Sequence, residues 1–149
     1  MTSLIRTDSS NVDFRNLVNL LDADLRIRDG EEHGFYATFN KIDHIVNVVV
    51  YYLDGIPVGC GAFKPFDSES VEIKRMFVSP EYRCKGTALL VLNELEKWAH
   101  ELNYKACVLE TGRKQPEAIA LYQKAGYKLI PNYGQYEGIE NSVCMHKTI

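Results

Sequence analysis

The stretch Val71-Glu72-Ile73-Lys74-Arg75-Met76-Phe77-Val78-Ser79-Pro80-Glu81-Tyr82-Arg83-Cys84-Lys85-Gly86-Thr87-Ala88 decides how the chain folds. Its first eight residues, rich in β-branched and aromatic side chains, read as a strand. Strict alternation puts Glu72, Lys74, Met76 and Val78 on one face of it, and Val71, Ile73, Arg75 and Phe77 on the other. Ser79-Pro80-Glu81-Tyr82 breaks the strand. Gly86 then opens a helix in which Leu89, Leu92, Leu95, Glu96 and Ala99 give a mostly apolar stripe to about Leu102. A helix N-terminus presents unpaired N–H groups and the positive end of a dipole, so it binds phosphates readily. Gly86 lets an anion approach the backbone, Ala88 keeps the next turn uncrowded, and Arg83 and Lys85 add positive charge. The turn reads as a pyrophosphate cradle. Cys84 sits in it but is incidental to a cradle that works through amides. Taken alone, Arg-x-x-Gly-x-Ala also describes a solvated helix start carrying surface cations. Neither GxxxxGK[ST] nor GxGxxG fits these residues.

Upstream, residues 3–6 suit a short strand. Phe14, Leu17, Leu21 and Leu25 then recur at helical steps to about Arg28, behind N-cap candidates at Asp8-Ser9-Ser10-Asn11. Residues 31–41 read as a loop or irregular helix. Residues 45–53 (IVNVVVYYL) form a strand, Asp54-Gly55 gives a hairpin turn, and residues 56–66 return. Gly59 and Gly61 in that return allow a bulge or a close backbone approach. Three such neighbouring strands are antiparallel.

Downstream, 104–110 is a short apolar strand, and a helix from Pro116 ends at Gly126. Strands at 127–130 and 142–147 close the chain, joined by a loop rich in Tyr and Gly. The strand–helix–strand unit in the middle demands a parallel pair with a crossover helix. The expected fold class is α+β, a three-layer α/β/α arrangement with a mixed, mostly antiparallel central sheet and helices on both faces.

The chain has 149 residues, about one domain, with 46% hydrophobic and 25% charged residues. That balance excludes disorder. The longest strongly apolar run, 45–53, falls far short of the ~20 residues that span a bilayer. A net charge of −3 shows no basic surplus for nucleic acid. No apolar signal-peptide core follows Met1, so a cytoplasmic protein without membrane or nucleic-acid partners is expected. Cys60, Cys84, Cys107 and Cys144 lie 24, 23 and 37 residues apart, without CxxC pairs, and suit reduced thiols mostly in or near the core. His33, His44, His100 and His146 share no ligand spacing, so no metal is expected.

Arg83-x-x-Gly86-x-Ala88, with its strand and long helix, resembles the acetyl-CoA-binding motif of the GNAT N-acetyltransferase superfamily. Ala118-Ile119-Ala120-Leu121-Tyr122-Gln123-Lys124-Ala125-Gly126-Tyr127 resembles that family's second signature. The resemblance runs from Ile45 onward, most closely to a bacterial subgroup. It implies a single N-acetyltransferase domain over 1–149, moving the acetyl group of acetyl-CoA, with no metal, to a primary amine of a small molecule or peptide. It implies cofactor contacts at Met76, Phe77, Val78, Arg83, Cys84, Lys85, Gly86, Thr87, Ala88, Gln115, Ala118 and Tyr122. Gln115 stands where the family often has Asn.

The resemblance also implies Glu72 as general base, directly or through water, and Tyr122 as the acid that meets the departing thiolate. An amine of pKa near 10.4 is only about 0.04% neutral at pH 7, a cost of roughly 4.6 kcal/mol, so a base is needed. Glu72 paired with a cation such as Lys74, and Tyr122 as a core aromatic, are the plainer readings. Backbone N–H groups near Met76, Phe77 or Val78 are expected to stabilise the oxyanion. Tyr133, Tyr136 and Glu137 suit a cup for a cation, with Phe35 on the opposite wall; the tyrosines equally suit packing on the sheet edge. A sheet edge or the C-terminal strand offers room for a homodimer, though nothing demands one. A non-catalytic CoA-binding module is the alternative to an enzyme.

Overall fold

The computed structural model describes residues 1–29 and 44–149. Its elements are β1 (Thr2–Thr7), α1 (Val12–Asp29), β2 (Asn47–Leu53), β3 (Ile56–Pro65), β4 (Ser70–Val78), α2 (Thr87–Glu101), β5 (Ala106–Gly112), α3 (Pro116–Lys124), β6 (Lys128–Ile130) and β7 (Ser142–Thr148). Single 3₁₀ turns occupy Pro80–Tyr82 and Gly134–Tyr136. The order is the one expected from periodicity, with ends that differ by a residue or two.

The strands form one sheet in the spatial order β1-β2-β3-β4-β5-β7-β6. Among these neighbours only β4 and β5 run parallel, joined through α2. The sheet is thus mixed, mostly antiparallel, and covered on both faces. On one face α1 buries Phe14, Leu17, Val18 and Leu21 against Val48, Val50, Ala62 and Phe77. The Asn11 carboxamide accepts the Phe14 N–H at 2.9 Å, which selects Asn11 among the N-cap candidates. On the other face Val91, Leu92, Leu95 and Ala99 of α2 pack on Val49, Val58, Val71 and Ile73, with Tyr122 of α3 in the same cluster. A small third core forms under the 131–141 loop, where Tyr136 and Cys144 are buried beside Ile130, Tyr133 and Ile139. Cys60, Cys107 and Cys144 are buried, Cys84 is exposed, and none of the four is in a disulfide. Among the described residues no helix is long and apolar enough to cross a membrane.

Strict alternation along β4 fails, and the failure shapes the molecule. Cys60 pairs with Phe77 and Ala62 with Lys74, so Arg75 and Met76 together oppose the single residue Gly61. This is a β-bulge, with Arg75 at φ +60°. The extra residue reverses which face each later side chain takes. Met76 packs in the α2-side core with Val71 and Ile73, whereas Phe77 crosses to the α1-side core and Arg75 bonds Asp22 of α1. The expected grouping of Met76 with Glu72 and Lys74, and of Arg75 and Phe77 with Val71 and Ile73, is therefore corrected beyond Lys74. The paired residues of β4 and β5 run from Ser70 and Ala106 to Ile73 and Leu109, so pairing ends just before the bulge. A bulge bends and twists its strand, and here the two parallel strands part.

Gly61 has no room for a side chain. A Cβ there would sit 2.5 Å from Met76 Sδ, 2.8 Å from Leu95 Cδ1 and 3.0 Å from Val91 Cγ1. Gly61→Ala is expected to destabilise the protein by ~1–3 kcal/mol, the usual range for overpacking a filled core. Urea denaturation would show it as a lower midpoint at unchanged slope. An unchanged midpoint would mean that Met76 moves aside at no cost.

Candidate active site

Where β4 and β5 part, two cavities open and share a wall. The larger, about 440 Å³, is bounded by Met76, Phe77 and Val78 of β4, by Arg83, Cys84 and Gly86 of the turn, by Thr87, Ala88 and Leu89 of α2, and by the first turns of α3. The smaller, about 110 Å³, is lined by Glu72, Lys74, Arg75, Glu110, Thr111 and Tyr136 among others. Leu21, Met76, Gln115, Ala118 and Tyr122 line both. The turn that follows β4 and the helix α3, far apart in the sequence, thus meet at these cavities.

At its α2 end the larger cavity offers backbone. Gly86 caps α2 at φ +82°, and the space beside its Cα is open. Its carbonyl already takes the Leu90 N–H at 3.1 Å, while the amides of the first helical turn have no acceptor within the helix. An anion set against Gly86 would face those amides. Open space at Gly86, free first-turn amides and a cavity of this size fit a pyrophosphate with an extended arm. Cys84 also takes a left-handed conformation, at φ +63°, which tightens the turn.

The two cations of the turn do not simply project into the cradle. Arg83 Nε donates to the Val78 carbonyl at 2.7 Å, its guanidinium lies 5.4 Å over the Phe77 ring, and Nη2 is 3.9 Å from Asp24 of α1. Arg83 lines the cavity while tying the turn back to β4 and α1. Lys85 stands 5.9 Å over the Tyr82 ring and is not part of the wall.

Tyr122 is buried on α3, its ring edge-on to Tyr127 with centroids 5.8 Å apart. Tyr127 is itself pinned: its hydroxyl donates to Glu96 at 2.8 Å, and Lys147 Nζ donates to the same carboxylate at 2.8 Å. Burial, and then the nearby Glu110 carboxylate, holds the Tyr122 phenol well above its ordinary pKa. The phenol therefore stays protonated.

Glu72 is 7% exposed. Tyr133 donates its hydroxyl to Glu72 Oε2 at 2.8 Å, and Lys74 Nζ lies 3.9 Å from Oε1. Burial and the Glu72 charge push the Tyr133 phenol far up, so the proton stays on oxygen in this bond. The Tyr133 ring packs edge-on to Phe66 at 4.8 Å and to Tyr136 at 5.8 Å, and Tyr136 lines the smaller cavity. The loop therefore reaches Glu72 and also packs as a small core. Glu137, at the end of the 3₁₀ turn, is exposed and lines neither cavity. Phe35 lies outside the described residues.

Sequence reasoning missed Leu21, Arg75 and Glu110. Glu110 carried a signal, a lone carboxylate in the apolar run Ala106-Cys107-Val108-Leu109. Arg75 enters only through the bulge, and Leu21 looked like any core leucine of an amphipathic helix.

Residues 14–127 match the Acetyltransferase (GNAT) family. An IAA acetyltransferase of Azospirillum brasilense is 35% identical over 106 residues, 70% of this chain and 69% of that protein. The crystal structure of a Klebsiella pneumoniae protein assigned as an acyl-CoA N-acyltransferase matches with TM-score 0.83 at 27% identity, over 99% of this chain and 97% of that one. The PaiA N-acetyltransferase of Thermoplasma acidophilum, solved in complex with coenzyme A, shares the fold at TM-score 0.74 and 16% identity, over 100% of this chain and 99% of its own. With this match across most of its length, and a helix-capping cradle beside a parted parallel pair, the chain belongs to the GNAT acetyltransferase family.

Proposed function

We propose that the chain is a single-domain N-acetyltransferase that moves the acetyl group of acetyl-CoA to the primary amine of a small molecule or peptide. The observation that carries this reading is the shared wall of the two cavities: one has an anion cradle, the other a buried carboxylate, and Tyr122 stands between them. The coenzyme A in the Thermoplasma acidophilum relative supports acetyl-CoA as the donor. Three buried, unpaired thiols support work in a reducing compartment, the cytoplasm.

Acetyl-CoA supplies the thioester carbonyl that the amine attacks directly, with an N–C bond formed as the C–S bond breaks. Glu72, directly or through one water, takes the proton that the attacking amine must shed. Tyr133 holds the Glu72 carboxylate in one orientation through Oε2 and leaves Oε1 toward Lys74. Tyr122 gives a hydrogen bond, and finally its proton, to the sulfur that leaves. Its raised pKa makes full transfer uphill, so hydrogen bonding to sulfur carries much of its effect. A backbone N–H in the Met76, Phe77, Val78 stretch, beyond the last pairing with β5, receives the cofactor arm or the developing oxyanion. Gly86, Thr87 and Ala88 hold the pyrophosphate, with Arg83, Cys84 and Lys85 shaping the turn and Gln115 and Ala118 lining the arm. Tyr133, through its bond to Glu72, and Tyr136, on the cavity wall, belong to the acceptor side.

Acetyl-CoA at 100 times its dissociation constant is expected to raise stability by about 2.7 kcal/mol, read as a higher melting temperature. Gly86→Glu sets bulk and negative charge at the cradle and should abolish coenzyme A binding by calorimetry while its melt without ligand stays cooperative. Undiminished affinity would overturn the cradle.

Tyr122→Phe should lower kcat at least tenfold with the KM for acetyl-CoA nearly unchanged. Equal losses in both would reassign Tyr122 to binding. Glu72→Gln should cut kcat/KM for the amine by about 10²–10⁴, the usual range for a general base, without weakening coenzyme A. Thiol release at the wild-type rate would remove Glu72 from the reaction, and a melting shift without thiol release from any amine would favour a binding module.

A further inference from the structure

One residue of β4 is held in a conformation that its type does not favour. The described non-glycine residues at positive φ are Asp54, Arg75, Cys84 and Asn103. Asp54 and Asn103 are short polar residues, one in a hairpin turn and one just past α2, where the left-handed region is readily reached. Cys84 sits in the turn before α2. Arg75 alone takes this conformation inside a strand, and with a long side chain attached. Such a residue persists only where its surroundings over-determine it.

Three neighbours do so. Gly61, across the ladder, stands opposite both Arg75 and Met76 and has no side chain to resist them. The Cys60 thiol donates to the Arg75 carbonyl at 3.5 Å, and burial pushes that thiol up to about 12, so it keeps its proton. From α1, Asp22 Oδ1 accepts the Arg75 Nη1 donor at 3.0 Å. The Arg75 side chain is only 2% exposed, whereas that of Asp22 is 41% exposed. Nε is buried and has no hydrogen-bond partner among the described residues. A buried cation with so few acceptors depends on the carboxylate it has.

The place of this anchor gives it a role. Asp22 follows Leu21, which lines both cavities, and two residues on Asp24 lies 3.9 Å from Arg83 Nη2. One turn of α1 thus meets both ends of the segment from Arg75 to Arg83. Between those ends Met76, Phe77 and Val78 stand on the wall of the larger cavity. The backbone has two soft dihedrals per residue, so a change of φ at Arg75 would swing these three residues. Arg75 belongs to the wall of the smaller cavity, but with so little exposed side chain it is placed to hold rather than to be touched.

Resting on the acetyltransferase reading above, we propose that Arg75 is a positioning residue: pinned by Asp22, it holds the left-handed step of β4 that sets the backbone of Met76, Phe77 and Val78 where the arm of acetyl-CoA meets it. The pair acts on the arm. It leaves the pyrophosphate cradle alone, because Gly86 is fixed by α2.

The test compares two ligands by calorimetry. Acetyl-CoA carries the arm, and 3′-phosphoadenosine 5′-diphosphate, its nucleotide half, carries the pyrophosphate without it. Arg75→Ala and Arg75→Gly delete the same guanidinium, but only glycine enters the left-handed region without steric cost. Arg75→Ala is expected to weaken acetyl-CoA roughly tenfold with the nucleotide undiminished, and Arg75→Gly to recover about threefold of that loss. Parallel loss of both ligands in Arg75→Ala would mean general loosening, and undiminished acetyl-CoA affinity would mean no role; either result overturns the proposal. Glycine no better than alanine would assign the loss to the guanidinium itself and overturn a role through the backbone.

Asp22→Ala tests the pin. It is expected to weaken acetyl-CoA about threefold in the native background and not at all in the Arg75→Gly background, because coupled residues are not additive. Equal losses in the two backgrounds would overturn the pairing. Should neither Arg75 variant melt cooperatively, Asp22→Ala decides alone: acetyl-CoA weakened with the nucleotide kept supports the proposal, and any other result overturns it. If acetyl-CoA leaves the melt of the unaltered protein unchanged, the acetyltransferase reading fails first, and this proposal with it.

Discussion

The geometry of this protein depends on one extra residue in β4. Arg75 and Met76 share the place opposite Gly61, and that bulge sends Arg75 and Phe77 to the α1 face while Met76 stays with α2. Two strands in register would otherwise have continued to pair. Instead the β4–β5 ladder ends at Ile73 and Leu109, and the backbone groups of β4 that follow are left on the side of the opening. Backbone N–H and C=O groups demand partners, so a ligand with an extended amide-bearing arm is the natural occupant. The bulge in turn depends on Gly61, whose missing Cβ leaves the space that Met76, Leu95 and Val91 fill.

The elements were legible because their causes are local. A 3.6-residue stripe at Phe14, Leu17 and Leu21, a run of β-branched residues at 48–50 and an Asp54-Gly55 turn each act within a few residues of chain. Gly86 was legible for the same reason, since a helix cap and a free backbone approach are properties of adjacent residues. The bulge was only half legible. Gly61 hinted at it from β3, but nothing in Ile73-Lys74-Arg75-Met76-Phe77 marks where alternation slips, and Arg75 pays no attention to its own pattern once Asp22 and the α1 face are within reach. Arg83 was half legible too. Its positive charge beside the turn could be read, but not the bond of its Nε to the carbonyl of Val78 five residues back.

The acceptor side was least legible because it is assembled from distant parts. Glu72 comes from β4, Glu110 from β5, Leu21 from α1 and Tyr136 from the loop before β7. Their meeting requires the whole sheet order, with β7 inserted between β5 and β6 so that the loop before it lies over the parted strands. Periodicity says which face a residue takes on its own element. It does not say which element lies opposite.

This division has a consequence for how such a fold changes its chemistry. On the proposed reading the larger cavity holds its ligand through backbone: one glycine, the direction of α2 and the part of β4 beyond its pairing with β5. Side chains around it can change with little effect on an anion held by amides. The smaller cavity is lined by side chains from several elements, and the packing of those elements is secured elsewhere. Leu21 sits among Phe14, Leu17 and Val18; Tyr136 sits over Cys144; Tyr122 is braced by Tyr127, which Glu96 and Lys147 hold from behind. Replacing Lys74 or Glu110 would alter the charge of this cavity without touching Gly86 or the core clusters. On the proposed reading the donor site is tied to the fold itself, and the acceptor site to a few replaceable side chains set on it.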